Sequence, residues 1–168
     1  AGGQPLSVQQ GDSLEALIGR YARGRNVSGA TTLEELGLTS LERVDLTIQG
    51  SGQIHTAQLT AFTLARLTLD GATGNFPSLV DITGSSLFAD NGANLTLPGV
   101  TQLIRTNVAT LTLTAEEPGT VLNLPNLASA LVQPFYQLEL FALRGGQVLL
   151  PALSAMQGAL DVLVDGTN

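Results

Sequence analysis

Asp70 and Asp90 hold the same place in two similar phrases, Leu67-Thr-Leu-Asp70 and Leu87-Phe-Ala-Asp90, and Asp81 falls between them. If those phrases are adjacent strands, the two carboxylates stand within ~5–7 Å on one face. Carboxyl groups ~5–5.5 Å apart can flank a glycosidic bond as acid and nucleophile. Asp70, Asp81 and Asp90 are therefore the catalytic candidates, for cleavage of a polysaccharide. The same oxygens, joined by Asn91, Asn94 and turn carbonyls, also suit a hard cation, and calcium is the candidate metal. The simpler reading is structural: Asp-Gly and Asp-Asn-Gly form turns, and their side chains bond nearby amides.

The other chemistry-bearing residues are few. The 168 residues include no cysteine, which excludes disulfides, cysteine-based zinc sites and thiol catalysis. They include no lysine, because Arg20, Arg23, Arg25, Arg43, Arg66, Arg105 and Arg144 supply all seven cations. Schiff-base chemistry is thereby excluded. The one histidine, His55, has no evident orienting partner, as a general base requires. Phe135, Tyr136 and Phe141 cluster in one stretch; there they either pack an insertion or stack on sugar rings. A net charge of −7 argues against binding a phosphate backbone. No apolar run reaches the ~20 residues of a membrane-spanning helix.

What must position these residues is a repeat. Gly119-Thr-Val-Leu-Asn-Leu-Pro-Asn-Leu127 returns as Gly145-Gly-Gln-Val-Leu-Leu-Pro-Ala-Leu153. It occurs earlier as Gly92-Ala-Asn-Leu-Thr-Leu-Pro-Gly-Val100, and in worn form as Gly74-Asn-Phe-Pro-Ser-Leu79. Leu79, Val100, Leu127 and Leu153 are 21, 27 and 26 residues apart. Such a period signals stacked units. A second column precedes each phrase: Leu46, Leu67, Leu87, Leu111, Leu138 and Val162, each opening a short run in which apolar residues alternate. That alternation is the mark of a strand with one buried face.

Each unit reads as strand, turn, strand, corner and a short third segment. Proline ends or bends the second strand, because it lacks an N–H for the ladder. Asp70-Gly71, Asn91-Gly92, Glu117-Pro-Gly119 and Gly145-Gly146 punctuate the turns. One such unit cannot bury its own leucines. Stacked units can, at ~4.8 Å spacing around a narrow apolar column. The expected ladders are Leu46 over Leu67 over Leu87 over Leu111 over Leu138, and Leu97 over Leu124 over Leu150. Low aromatic content, 4%, suggests a lumen too thin for rings. Leucine-rich repeats share the period, but no regular inward Asn column is present, so a horseshoe is the second choice.

Two stretches resemble known families. Gly145-Gly-Gln-Val-Leu-Leu-Pro-Ala-Leu-Ser-Ala155 and Gly37-Leu-Thr-Ser-Leu-Glu-Arg-Val-Asp-Leu-Thr-Ile-Gln-Gly-Ser-Gly52 resemble the Gly-Gly-x-Leu-x-Leu-Pro-x-Leu-Thr repeats of large secreted bacterial surface proteins. The resemblance covers roughly residues 37–164. It implies a β-solenoid stalk or adhesin-like module outside the cell and brings no catalytic residues. Thr32-Leu-Glu-Glu-Leu-Gly-Leu-Thr-Ser40-Leu-Glu-Arg-Val-Asp-Leu46 is similar to the prosthetic-group segment of acyl carrier proteins. That resemblance implies phosphopantetheine on Ser40, and a helix after it.

The expected fold is an all-β, parallel β-solenoid (β-helix) of about six to eight coils. Residues 1–40 are expected to form an N-terminal cap and first irregular coils, and residues 41–168 the repeats. Asp12 or Ser13 can cap a helix over Leu14 to Ala22, with Leu14, Leu17, Ile18 and Tyr21 on one face. The expected role is structural and not enzymatic: an extracellular or cell-surface scaffold, adhesin module or filament subunit. Its expected partner is itself, by end-to-end coil stacking, with polysaccharide or a cell surface as further partners; neither nucleic acid nor a membrane span is expected.

Overall fold

A computed structural model describes residues 25–27, 32–34, 39–55, 57–105, 111–134 and 136–166. The expected cap helix and Phe135 lie outside them. Every strand pair among the described residues is parallel, and none of these residues is helical. The six alternating runs found in the sequence, joined by Arg25–Val27, form one seven-stranded sheet. Its members, in order, are β1 (Arg25–Val27), β4 (Asp45–Gln49), β7 (Arg66–Asp70), β9 (Ser86–Asp90), β12 (Leu111–Glu116), β15 (Gln137–Leu143) and β18 (Ala159–Val164).

After β4, β7, β9, β12 and β15 the chain bends into a second face. There β2 (Thr32–Glu34) pairs with β5 (Gln53–His55). Farther along, β8 (Thr73–Asn75), β10 (Asn94–Thr96), β13 (Val121–Asn123) and β16 (Gln147–Leu149) form a four-stranded sheet. A third face follows, where β3 (Ser40–Glu42) pairs with β6 (Ala61–Thr63), and Ala61 bridges to Asp81. It continues with β11 (Gln102–Arg105), β14 (Ser129–Val132) and β17 (Ala155–Gln157). One strand from each face makes a coil, so the chain is a three-sided β-solenoid. The six strands β4, β7, β9, β12, β15 and β18 bound five coils, and β1 stacks outside them. That is fewer than the six to eight expected. The stack also includes residues 25–27 and 32–34, where β1 and β2 already pair with β4 and β5.

The Leu-Pro phrase is the corner between the second and third faces. In Phe76-Pro-Ser-Leu79, Leu97-Pro-Gly-Val100, Leu124-Pro-Asn-Leu127 and Leu150-Pro-Ala-Leu153, the fourth N–H donates to the first carbonyl at 3.3, 3.4, 3.2 and 3.1 Å. Proline at the second position of such a turn has its φ already set. The flanking apolar residues then point inward. Leu79, Leu95, Leu97, Val100, Leu122 and Leu124 have no accessible surface. Each is worth roughly 1.5–3 kcal/mol in burial.

Two details of the interior differ from the sequence reading. Leu46, Leu67 and Leu87 are register partners, but Leu87 then pairs with Leu113, not Leu111, which pairs onward with Leu138. A slip of two residues keeps every side chain on its own face, so the alternating text alone cannot reveal it. Nor is the lumen closed to rings: Phe62 and Phe76 are 1% exposed. Phe76 fits because Gly74 has no side chain. A Cβ there would lie 2.8 Å from Leu69 Cδ2 and 3.0 Å from Phe76 Cε2. Buried Ser85 ties the third corner together: its hydroxyl donates to the Phe62 carbonyl at 2.7 Å and accepts from the Ala65 N–H at 3.0 Å.

Gly74→Ala is expected to destabilise the protein by about 1–3 kcal/mol through overpacking. Phe76→Leu in the same chain is expected to restore part of that loss. Urea unfolding of both single variants and the double variant checks it; strict additivity would rule out the proposed contact.

Candidate functional site

The candidate carboxylates stand where the seven-stranded sheet meets the first corner. The register runs Gln49, Asp70, Asp90 across β4, β7 and β9. Because Ala89 pairs with Ala115, Glu116 is next in the column, and Glu116 pairs with Leu143. The residue after each member has a left-handed backbone: Gly50 (φ 57°), Gly71 (62°), Asn91 (54°), Glu117 (74°) and Arg144 (47°). That conformation bends the chain sharply, and at Gly50, Gly71 and Glu117 it aims the N–H along the stack. Gly50 N–H donates to Asp70 O at 2.8 Å, Gly71 N–H to Asp90 O at 2.9 Å, and Glu117 N–H to Leu143 O at 3.2 Å.

The side chains of this column bond one another across the coils. Asp70 Oδ2 accepts from Gln49 Nε2 at 3.1 Å, and Asp70 Oδ1 accepts from Asn91 Nδ2 at 2.7 Å. Asp90 Oδ1 accepts from the Asn91 N–H at 2.7 Å. Arg144 donates through Nε to Glu117 Oε1 at 2.6 Å, and its Nη2 contacts Glu116 Oε1. The Glu117 hydrogen bond raises the Arg144 pKa most, desolvation opposes it, and the Glu116, Glu117 and Asp90 charges each raise it further by less. Because the shift is upward, the stabilisation linked to it is fully present at physiological pH and is lost only as the pH rises through the folded-state pKa.

Asp70 and Asp90 are thus neighbours, as the spacing predicts, and Asn91 joins them. Asp81 does not: it lies on the third face, where its Oδ1 accepts from the Thr83 N–H at 2.9 Å. Asn94 opens β10 on the second face, and its Oδ1 accepts from Thr96 Oγ1 at 3.3 Å. Among the described residues, no three His, Cys, Asp or Glu side chains converge. The two Asp70 oxygens each accept from an amide donor, Gln49 Nε2 and Asn91 Nδ2.

Ser40 is exposed and opens β3 opposite Ala61. Residues 45–49 after it form β4, where a carrier segment would continue as helix. His55 closes β5 in register with Glu34. Tyr136 packs against the core, and half-buried Phe141 points outward between Thr114 and Leu163 in the register. Phe88 is on the same outward column, and the Arg66 guanidinium, from the column beside it, lies 4.1 Å from the centroid of its ring.

Glu116, Glu117 and Arg144 are the members of this site that the sequence reading missed. Aligning the Leu-Thr-Leu text places Thr114 beside Asp90. The register that brings Glu116 beside Asp90 superimposes the left-handed residues Gly71, Asn91 and Glu117, which the sequence alone does not mark. Comparisons with protein-family models, curated proteins and solved structures find no match.

Like charges directly opposite in a sheet repel by roughly 0.2–1 kcal/mol. Asp90→Asn keeps the oxygen that accepts from Asn91 and removes the charge facing Asp70, so it is expected to raise the unfolding free energy measured in urea by that amount. The gain should shrink at high salt; a salt-independent gain would contradict the electrostatic cause. At Glu117, Gly is expected to be more stable than Ala by about 1 kcal/mol because only Gly is unstrained at that φ. Thermal or urea melts of the two variants measure the difference.

Proposed function

We propose that this chain is a structural module, a β-solenoid scaffold or adhesin-like segment working outside the cell. Its mechanism is geometric: stacked coils hold polar faces at a constant spacing, and the apolar column keeps them rigid. One observation carries this reading. The carboxylates best placed for chemistry are engaged as ties between coils, Asp70 by Gln49 and Asn91, and Glu116 and Glu117 by Arg144.

The reading includes self-association by end-to-end stacking. Leu160 and Val162 are 41% and 54% exposed, while their register partners Leu138 and Leu140 are 1% and 8% exposed. A further strand laid on β18 would bury them as β18 itself buries the β15 leucines, and edge strands template such pairing. Sedimentation and electron microscopy over a range of concentrations test this. Lengthening rods are expected, with Val162→Lys holding the particles single. A particle that stays single at the highest concentration removes self-stacking from the reading.

A second reading, a polysaccharide-binding or polysaccharide-cleaving β-helix, draws on the placement of Asp70 directly opposite Asp90. Sugar release from a polysaccharide panel, abolished in the Asp70→Asn, Asp90→Asn double variant, would replace the scaffold reading with this one.

A further inference from the structure

The corner that holds the acidic column also contains the chain's one Asn-Gly pair, Asn91-Gly92. Both residues are exposed and both have left-handed backbones, φ 54° and 77°. Asn-Gly is the dipeptide in which the backbone most easily attacks its own side chain, because glycine offers the following nitrogen no steric cover. The Gly92 amide gives up its proton to solvent, and its nitrogen bonds to Asn91 Cγ. The Cγ–Nδ2 bond then breaks, and ammonia leaves with a proton from water. Water next opens the cyclic imide at either carbonyl, leaving aspartate or isoaspartate.

Two contacts in this fold oppose the first step. The Gly92 N–H donates to Thr120 Oγ1 at 2.8 Å, and Thr120 is fully buried, so the proton that must leave is held by the next coil. The Asn91 carboxamide is anchored through Nδ2 on Asp70 Oδ1, 2.7 Å away on the preceding coil. The nucleophile is held by one neighbour and the electrophile by the other. We propose that Asn91 is a deamidation site gated by coil stacking: it is protected while Asp70 and Thr120 keep their contacts and reactive when the corner opens. The reaction then acts as a covalent record of opening. It replaces the donor on Asp70 with a carboxylate facing Asp70 and Asp90, so a corner that has opened and reacted closes less well.

Peptide mapping by mass spectrometry, with an isoaspartate assay, follows the reaction at mildly alkaline pH. The samples are the folded protein, the same chain in urea, Thr120→Val, Asp70→Ala and Leu127→Ala. Leu127 is a buried core residue of the second-to-third-face corner, so its variant loses stability without touching either contact. Circular dichroism establishes that each variant is folded. The chain in urea is expected to react fastest and the folded protein slowest. Thr120→Val and Asp70→Ala are each expected to react roughly two- to tenfold faster than the folded parent, the ratio that corresponds to one hydrogen bond. Leu127→Ala is expected to show less acceleration at matched loss of stability. Equal rates in the folded and urea-unfolded chain overturn the proposal, and so does acceleration in Leu127→Ala as large as in the two contact variants. Asn91→Asp offers an independent measure: its unfolding midpoint should fall below the parent's, and a midpoint equal to or above it contradicts the effect assigned to the new charge.

Discussion

Each coil of this protein buries its apolar side chains across its own narrow lumen and against the coils above and below it. Leu95 in one coil meets Leu122 in the next and Gly74 in the one before, and no residue within its own coil replaces those neighbours as a layer. The parallel register is therefore the constraint on which the rest depends. It sets which leucines touch, which corners superimpose and which charged side chains are brought face to face. Stability in such an array is close to a sum of unit and neighbour terms, and a single bad layer weakens the contacts on both sides of it.

The corners are where register becomes chemistry. A left-handed residue follows β4, β7, β9, β12 and β15, and at Gly50, Gly71 and Glu117 its N–H donates to the next coil, while the strand's last side chain is held outside the core. In three of the five coils that residue is Gly or Asn, which accept the conformation at little cost. In the other two it is Glu117 and Arg144, whose side chains bond each other. Backbone strain at neighbouring corners thus coincides with an ion pair between them. The same superposition places Asp70 opposite Asp90, a repulsive arrangement that Gln49, Asn91 and Arg144 moderate.

How far this was legible in the text depends on what each signal measures. Period-2 alternation reports which face a residue occupies, so the inward sets around Leu97, Leu124 and Leu150 and the Leu-Pro corners could be read directly. Alternation is blind to slips of two residues, and this is why Leu111 was set beside Leu87 when Leu113 belongs there. The slip also hid Glu116 from the acidic column. Composition, for its part, counts rings without locating gaps. Phe76 lies inside because Gly74 in the same coil leaves room for it, a compensation visible only when both residues are placed.

By itself, the amino-acid sequence determined a parallel β-solenoid, its repeat, its buried alternation and the proline turns, because these follow from local backbone preference and from a period that neighbouring units share. Which residue lies above which was decided only in the tertiary structure. The gain from burying a leucine is nearly the same against Leu111 as against Leu113, so the register is settled by the summed fit of corners, rings and hydrogen bonds across whole coils. The partners of Asp70, Asp90, Asn91 and Arg144 all descend from that choice.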